Sequence, residues 1–160
     1  KNNDFLINEK IDLEIGTGME NHISLDLPQA LFDGTSLTLN QTKYTLIELP
    51  FFGKPNFIET VLFEVQLAGY IPVLAHPERL ELFQNTPTIL NDFVGRGMLT
   101  QFTAGSIIGL FGKKAEKLTQ KYLKEGLVHT LASDTHRPTG PRTPILSLAY
   151  KKVSNSCKIP

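Results

Sequence analysis

Five side chains in this sequence stand where they could do chemistry together. Glu20, Glu48, His76, Asp134 and His136 each come after an apolar, strand-like run, and 28 residues separate both Glu20 from Glu48 and Glu48 from His76. That interval is about one βα repeat, so successive units would present these groups on one rim. Carboxylates gathered in this way repel one another unless cations sit among them. A donor set of carboxylate and imidazole, with no thiolate, suits Mn²⁺, Fe or Zn²⁺. Two or more such ions would clamp an anionic substrate and supply a hydroxide nucleophile. Any one of these residues alone would be an ordinary strand-end side chain. The five together point to a metal or catalytic site.

Arginines add a second theme. Arg79 lies three residues after His76, and Arg142 closes the loop that follows His136. An arginine beside a metal cluster suits bidentate recognition of phosphate. Arg96 and Arg137 read as surface residues. His129 reads as a packed histidine inside a strand, and His22 is left outside the set. Cys157, in "SNSCKIP", has no arginine at the spacing a cysteine-nucleophile phosphatase needs, which argues against a thiolate mechanism. "GSIIGLFGKK" (105 to 114) holds three glycines without the spacing of a P-loop. It reads as a site-facing loop leading into a helix N-terminus, where backbone N–H groups favour anions.

The elements that must position these groups alternate. Strands are expected over 11–16 ("IDLEIG"), 43–49 ("KYTLIEL"), 71–75 ("IPVLA"), 98–102 ("MLTQF") and 128–132 ("VHTLA"). Between them, residues 55–70 carry Ile58, Val61, Leu62, Val65 and Ala68 at helical spacing, with Asn56 and Glu59 as a capping box and Gly69 as the stop. Further helices are expected near 86–97, over 113–126 with Ala115, Leu118 and Tyr122 inward and Gly126 as stop, and over 143–153. Strands alternating with such helices read as βαβ units on a parallel sheet, whose sites lie at the carboxyl ends of the strands.

The bulk numbers narrow the class. The chain has 160 residues, which fits one domain with a proper core, and 16 basic residues balance 16 acidic ones. A neutral chain has no electrostatic footprint for nucleic acid or an anionic membrane, and no apolar run approaches the ~20 residues of a membrane helix. One cysteine cannot form an internal disulfide, so the cytoplasm is the expected compartment.

"LIELPF", "GYIPVLAHPER", "TQFTAGSIIGLFGK" and "HTLASDTH", in that order, resemble the polymerase-and-histidinol-phosphatase (PHP) superfamily. More closely, they resemble its bacterial manganese-dependent protein-tyrosine phosphatases of capsule and exopolysaccharide synthesis. The resemblance runs from about residue 11 to residue 150. It implies an α/β fold, a distorted TIM-like parallel (β/α) barrel, with residues 1–160 as a single PHP-like domain that makes up the C-terminal two-thirds of the family fold. It implies a site of three metal ions, usually manganese, with Glu20, Glu48, His76, Asp134 and His136 as ligands. Arg79 matches an arginine that holds the substrate phosphate, and Arg142 matches a second, in a loop one residue longer than the family's. The implied substrate is phosphotyrosine on a tyrosine autokinase that controls polysaccharide export. Beside the resemblance, His136, where it is not fully committed to metal, is the expected acid that protonates the tyrosyl oxygen.

The family pattern opens with His-x-His, and no His-x-His occurs in this chain. The resemblance therefore predicts a chain without the first βα units of the barrel, either a fragment of a longer protein or a degenerate relative. Two other functions stay open on this reading: hydrolysis of a small phosphomonoester such as histidinol phosphate, and a non-catalytic remnant that binds a partner.

Overall fold

Five parallel strands lie side by side in the order in which the chain makes them. The computed structural model describes residues 2–140 and 142–156, and Cys157 lies outside the described residues. In chain order the elements are helix α1 (Asn2–Asn8), strand β1 (Glu20–His22), α2 (Leu27–Phe32), β2 (Tyr44–Glu48), α3 (Ile58–Leu67), β3 (Ile71–Ala75), α4 (Glu81–Asn85), α5 (Ile89–Gly95), β4 (Leu99–Thr103), α6 (Ala104–Ile107), α7 (Gly112–Lys124), β5 (Thr130–Ala132) and α8 (Leu146–Ser156). A sequential, all-parallel order is that of a barrel wall. Among the described residues it forms a five-stranded sheet, with β1 and β5 as its edges.

Two apolar layers hold the sheet. On the outer face Ile47, Leu74 and Phe102 meet Ile58, Val61, Leu62 and Val65 of α3, Phe93 of α5, and Leu118 and Tyr122 of α7. Each fully buried side chain of this kind contributes about 1.5–3 kcal/mol. The inner face carries a smaller layer of Leu46, Val73 and Ala75, covered in part by Leu39 and Leu99. The central strand β3 is thus apolar on both faces, as a strand in a parallel sheet must be.

Pro72 lies in that central strand, where a missing N–H would ordinarily break a ladder. Its position explains the tolerance. Ile71 donates its N–H toward β2, to the Lys43 carbonyl at 2.8 Å. Pro72 therefore faces the β4 side, one step below the level where Leu99 begins that pairing opposite Val73. No hydrogen bond is forfeited there.

Several expectations are corrected. Residues 11–16 form no strand: Ile11, Leu13 and Ile15 are exposed, and no described strand lies alongside to pair them. Alternation alone cannot satisfy a strand's backbone. Instead the Asn3 side chain brackets the Ile15 backbone N–H and carbonyl at 2.8 and 3.1 Å. Asn56 does not cap α3, whose first flanking residue is Phe57 with no side-chain cap. Glu59 pairs with Lys54 at 2.8 Å and with Arg96 at 3.1 Å rather than closing a capping box. Ala68 is exposed, at the helix end. His129 precedes β5 and is exposed, with Nδ1 3.0 Å from the Thr100 hydroxyl. The inward residues of α7 are Ala115, Leu118 and Tyr122 as expected. Gly69 and Gly126 stop their helices at φ of 90° and 71°. Among the described residues no helix is long and apolar enough to cross a membrane.

Candidate active site

The parallel register puts the acidic and imidazole groups on the inner face at one end of the sheet. Glu20 pairs with Leu46, and His22 pairs with Glu48. Side chains alternate along a strand, so Glu20, His22, Leu46 and Glu48 share a face. Glu20 itself opens β1 rather than following a strand over 11–16. His76 begins where β3 ends. Its backbone N–H reaches the Gln101 carbonyl of β4 at 2.7 Å, and its φ of 34° is left-handed. Pro77 follows at once and turns the chain into a 3-10 turn over Pro77–Arg79.

Three of the five predicted ligands come together. One ligand atom each from Glu20, Glu48 and His76 lie within 4.8 Å of one another. His76 Nε2 stands 3.2 Å from Glu20 Oε1 and 3.1 Å from Glu48 Oε1. This mixture of carboxylates and imidazole fits a divalent cation. His22, left out of the sequence-based set, reaches Glu48 Oε2 through Nδ1 at 3.2 Å and would orient that carboxylate. Its even spacing from Glu20 was the available signal.

Asp134 and His136 are not part of that group and form a second one with the arginines. Asp134 Oδ2 accepts from Arg79 Nη1 at 2.8 Å and from Arg142 Nη2 at 2.5 Å. His136 Nδ1 lies 3.0 Å from the Asp134 carbonyl oxygen, and its backbone N–H donates to the Arg142 carbonyl at 3.1 Å. The imidazole is largely exposed, whereas the Asp134 carboxylate is nearly buried. Asp134 and Arg142 share positive φ with His76, at 50° and 68°. Non-glycine residues held there mark places where the surrounding fold imposes a conformation, and such residues cluster at functional sites. Arg137 is exposed, and Arg96 pairs with Glu59 outside the site.

Two aromatic rings and a buried carboxylate went unnoticed in the sequence. Phe51 stacks on His76 with centroids 5.5 Å apart and lies 5.2 Å from the Arg79 guanidinium carbon. Phe111 lies 4.3 Å from that same carbon. Glu78 is fully buried, its Oε1 accepting from the Thr103 N–H at 3.0 Å and the Ser106 hydroxyl at 2.6 Å. Burial pushes its carboxyl above the ordinary range, against the pull of those hydrogen bonds. "GSIIGLFGKK" is only partly a loop, since its start belongs to α6. A hollow of about 390 Å³ lies at the other end of the inner face, lined by Tyr44, Val73, Leu99 and Thr130, and none of its lining residues is acidic.

A family described as capsular polysaccharide synthesis, CpsB/CapC, matches residues 3–158. The chain belongs to the CpsB/CapC family. Its CpsB/CapC relatives include the tyrosine-protein phosphatase YwqE of Bacillus subtilis, 40% identical over 131 residues that cover 82% of this chain and 52% of that protein. The tyrosine-protein phosphatase CpsB of Streptococcus agalactiae is 34% identical over 144 residues, 87% of this chain and 59% of that protein. A solved chain from work on YwqE of B. subtilis and CpsB of Streptococcus pneumoniae, described as metal-dependent tyrosine phosphatases, superposes with a TM-score of 0.88 at 37% identity. It covers 96% of this chain and 62% of that one. The chain thus spans a little over half the length of the curated CpsB/CapC proteins it matches, and it carries their PHP-type α/β fold over that span.

Proposed function

We propose that this chain carries the phosphate-binding and part of the metal-binding apparatus of a protein-tyrosine phosphatase, acting in the cytoplasm on a tyrosine autokinase of polysaccharide synthesis. Residues 1–160 would form one PHP-like domain. The observation that carries the reading is the adjacency of the Glu20–Glu48–His76 group to Arg79, through the Phe51 ring that contacts both His76 and Arg79. Membership in a family whose relatives are named tyrosine-protein phosphatases supports it.

Glu20, Glu48 and His76 would hold one divalent ion, with Mn²⁺ the proposed metal and Fe or Zn²⁺ its rivals. Asp134 and His136 would hold another. Such ions, when bound, neutralise phosphoryl charge and make water nucleophilic at neutral pH. Arg79 presents a planar fork to the phosphoryl oxygens, and Arg142 a second. Asp134 keeps both guanidinium groups at one point before substrate arrives, so little reorganisation is needed as equatorial charge grows. With Nδ1–H of His136 donated to the Asp134 carbonyl, the Nε2 lone pair of the neutral ring is free to take a metal, and only the imidazolium form would have an Nε2 proton to give to the tyrosyl oxygen. Tyrosine leaves as a phenoxide, whose conjugate acid has a pKa of ~10, so that proton is a modest contribution.

A phosphotyrosine peptide assayed with Mn²⁺ and with chelator tests the reading. Turnover that needs Mn²⁺ is expected. Equal turnover in both would refute metal catalysis, and metal binding without turnover would leave a ligand-binding remnant.

A further inference from the structure

The segment 103–111 has a purpose that the metal-and-arginine account does not use. We propose that Phe111, held in place through Gly105 and Glu78, and Phe51, held in place through Glu81, are positioning residues that fix the Arg79 guanidinium for phosphate. This rests on the reading that Arg79 binds the phosphoryl group.

Arg79 is a long, flexible side chain on a short 3-10 turn. Left alone it would sample many rotamers and bind phosphate only after being ordered. Here it lies against two rings. Phe111 approaches its guanidinium carbon at 4.3 Å and Phe51 at 5.2 Å, both within the range of attraction between a cation and a ring. Contact through the ring faces leaves the in-plane N–H donors of the fork free to point at oxygens. One of them already donates to Asp134.

Each ring is itself located by buried or local bonds. Phe111 packs against Gly105, where a Cβ would stand only 2.7 Å from Cε2 of the ring. Gly105 lies in α6, and α6 is tied to the Arg79 turn by Glu78, which accepts from Thr103 N–H and Ser106 Oγ–H. Glu78 and Arg79 are neighbours, so the bond that anchors α6 also fixes the base of the arginine. On the other side, the Phe51 carbonyl accepts from the Glu81 N–H at 3.0 Å, and the Glu81 carboxylate accepts from the Gly53 N–H at 2.8 Å. The Phe51 loop is thereby pinned to α4.

The test uses the whole 160-residue chain loaded with Mn²⁺ and the variants Phe111→Leu and Ser106→Ala. Phe111→Leu keeps apolar bulk and removes the ring. It is expected to raise KM for a phosphotyrosine peptide and Ki for inorganic phosphate about 3- to 30-fold, the worth of one ring–cation contact. Bound metal and kcat should change little, and Phe111→Tyr, which keeps a ring, should restore KM. Ser106→Ala should move KM in the same direction by less. A lower melting temperature with KM and Ki unmoved overturns the proposal and makes Phe111 mere packing. A second readout needs no turnover: the Arg79 side-chain Nε–Hε resonance, identified with Arg79→Lys, should be displaced upfield by the rings and should lose that displacement in Phe111→Leu. A wild-type resonance at the free-arginine position overturns the frame. A displaced resonance in a chain that neither binds nor hydrolyses phosphate would instead sink the phosphatase reading while leaving the frame standing.

Discussion

His76 Nε2 lies 3.1 Å from Glu48 Oε1, and 28 residues of chain separate them. The contact joins the ends of two neighbouring strands and is the centre of the group proposed to hold a divalent ion. Removing the imidazole with His76→Ala should lower Mn²⁺ affinity by more than about 100-fold, read by titration calorimetry. His22→Ala, which only frees Glu48 from an orienting partner, should cost on the order of 10-fold, the range for residues that hold a ligand in place. Equal effects would mean that His22 is itself a ligand.

Asp134 joins Arg79 and Arg142 through one carboxylate oxygen, and it is nearly buried. Asp134→Ala leaves two cations facing each other without it. It should destabilise the fold by about 2–3 kcal/mol, below the full cost of breaking a wholly buried pair because Arg142 is partly solvated. Denaturant unfolding measures this. An unchanged midpoint would show that the arginines find other partners.

Arg79 and Arg142 should separate under substitution. Arg79→Lys loses the fork and the ring contacts together and should reduce kcat/KM by on the order of 10- to 100-fold. Arg142→Lys, at a more exposed side chain, should cost less. A panel of phosphotyrosine peptides at fixed metal concentration checks the ranking.

His129 gives a pH signature away from the site. The residue is exposed, but partial desolvation of its ring lowers the pKa from the ordinary 6.5, so the folded chain binds that proton less readily than the unfolded chain does. The sign follows: its contribution is fully present above about pH 6.5 and is lost as pH falls through the window below. His129→Gln should therefore soften the drop in melting temperature between about pH 7.5 and 5.5 relative to wild type. Parallel slopes for the two proteins would rule it out.

Strong periodicity made most of the frame legible. The run "IPVLA" and the stripe of Leu118 and Tyr122 carry their structure locally, since burial of one face demands that pattern. The strand ends located Glu48 and His76 because an apolar run cannot continue through them. The segment 11–16 misled because its alternation has no neighbouring strand among the described residues to receive it. Phe51, Glu78 and Phe111 were opaque for a different reason. Their roles depend on contacts over 25 to 32 residues that connect separate loops, and nothing in the local composition marks them.

Glu20 and Glu48 lie in two consecutive strands, and His76 directly follows the third. An ion gripped by all three would be a rivet through the sheet, and its binding free energy would add to the folding free energy, about 2.7 kcal/mol when the free ion is at a hundred times its dissociation constant. Divalent-cation supply in the cell would then govern how long the polypeptide survives proteases as well as how fast it works.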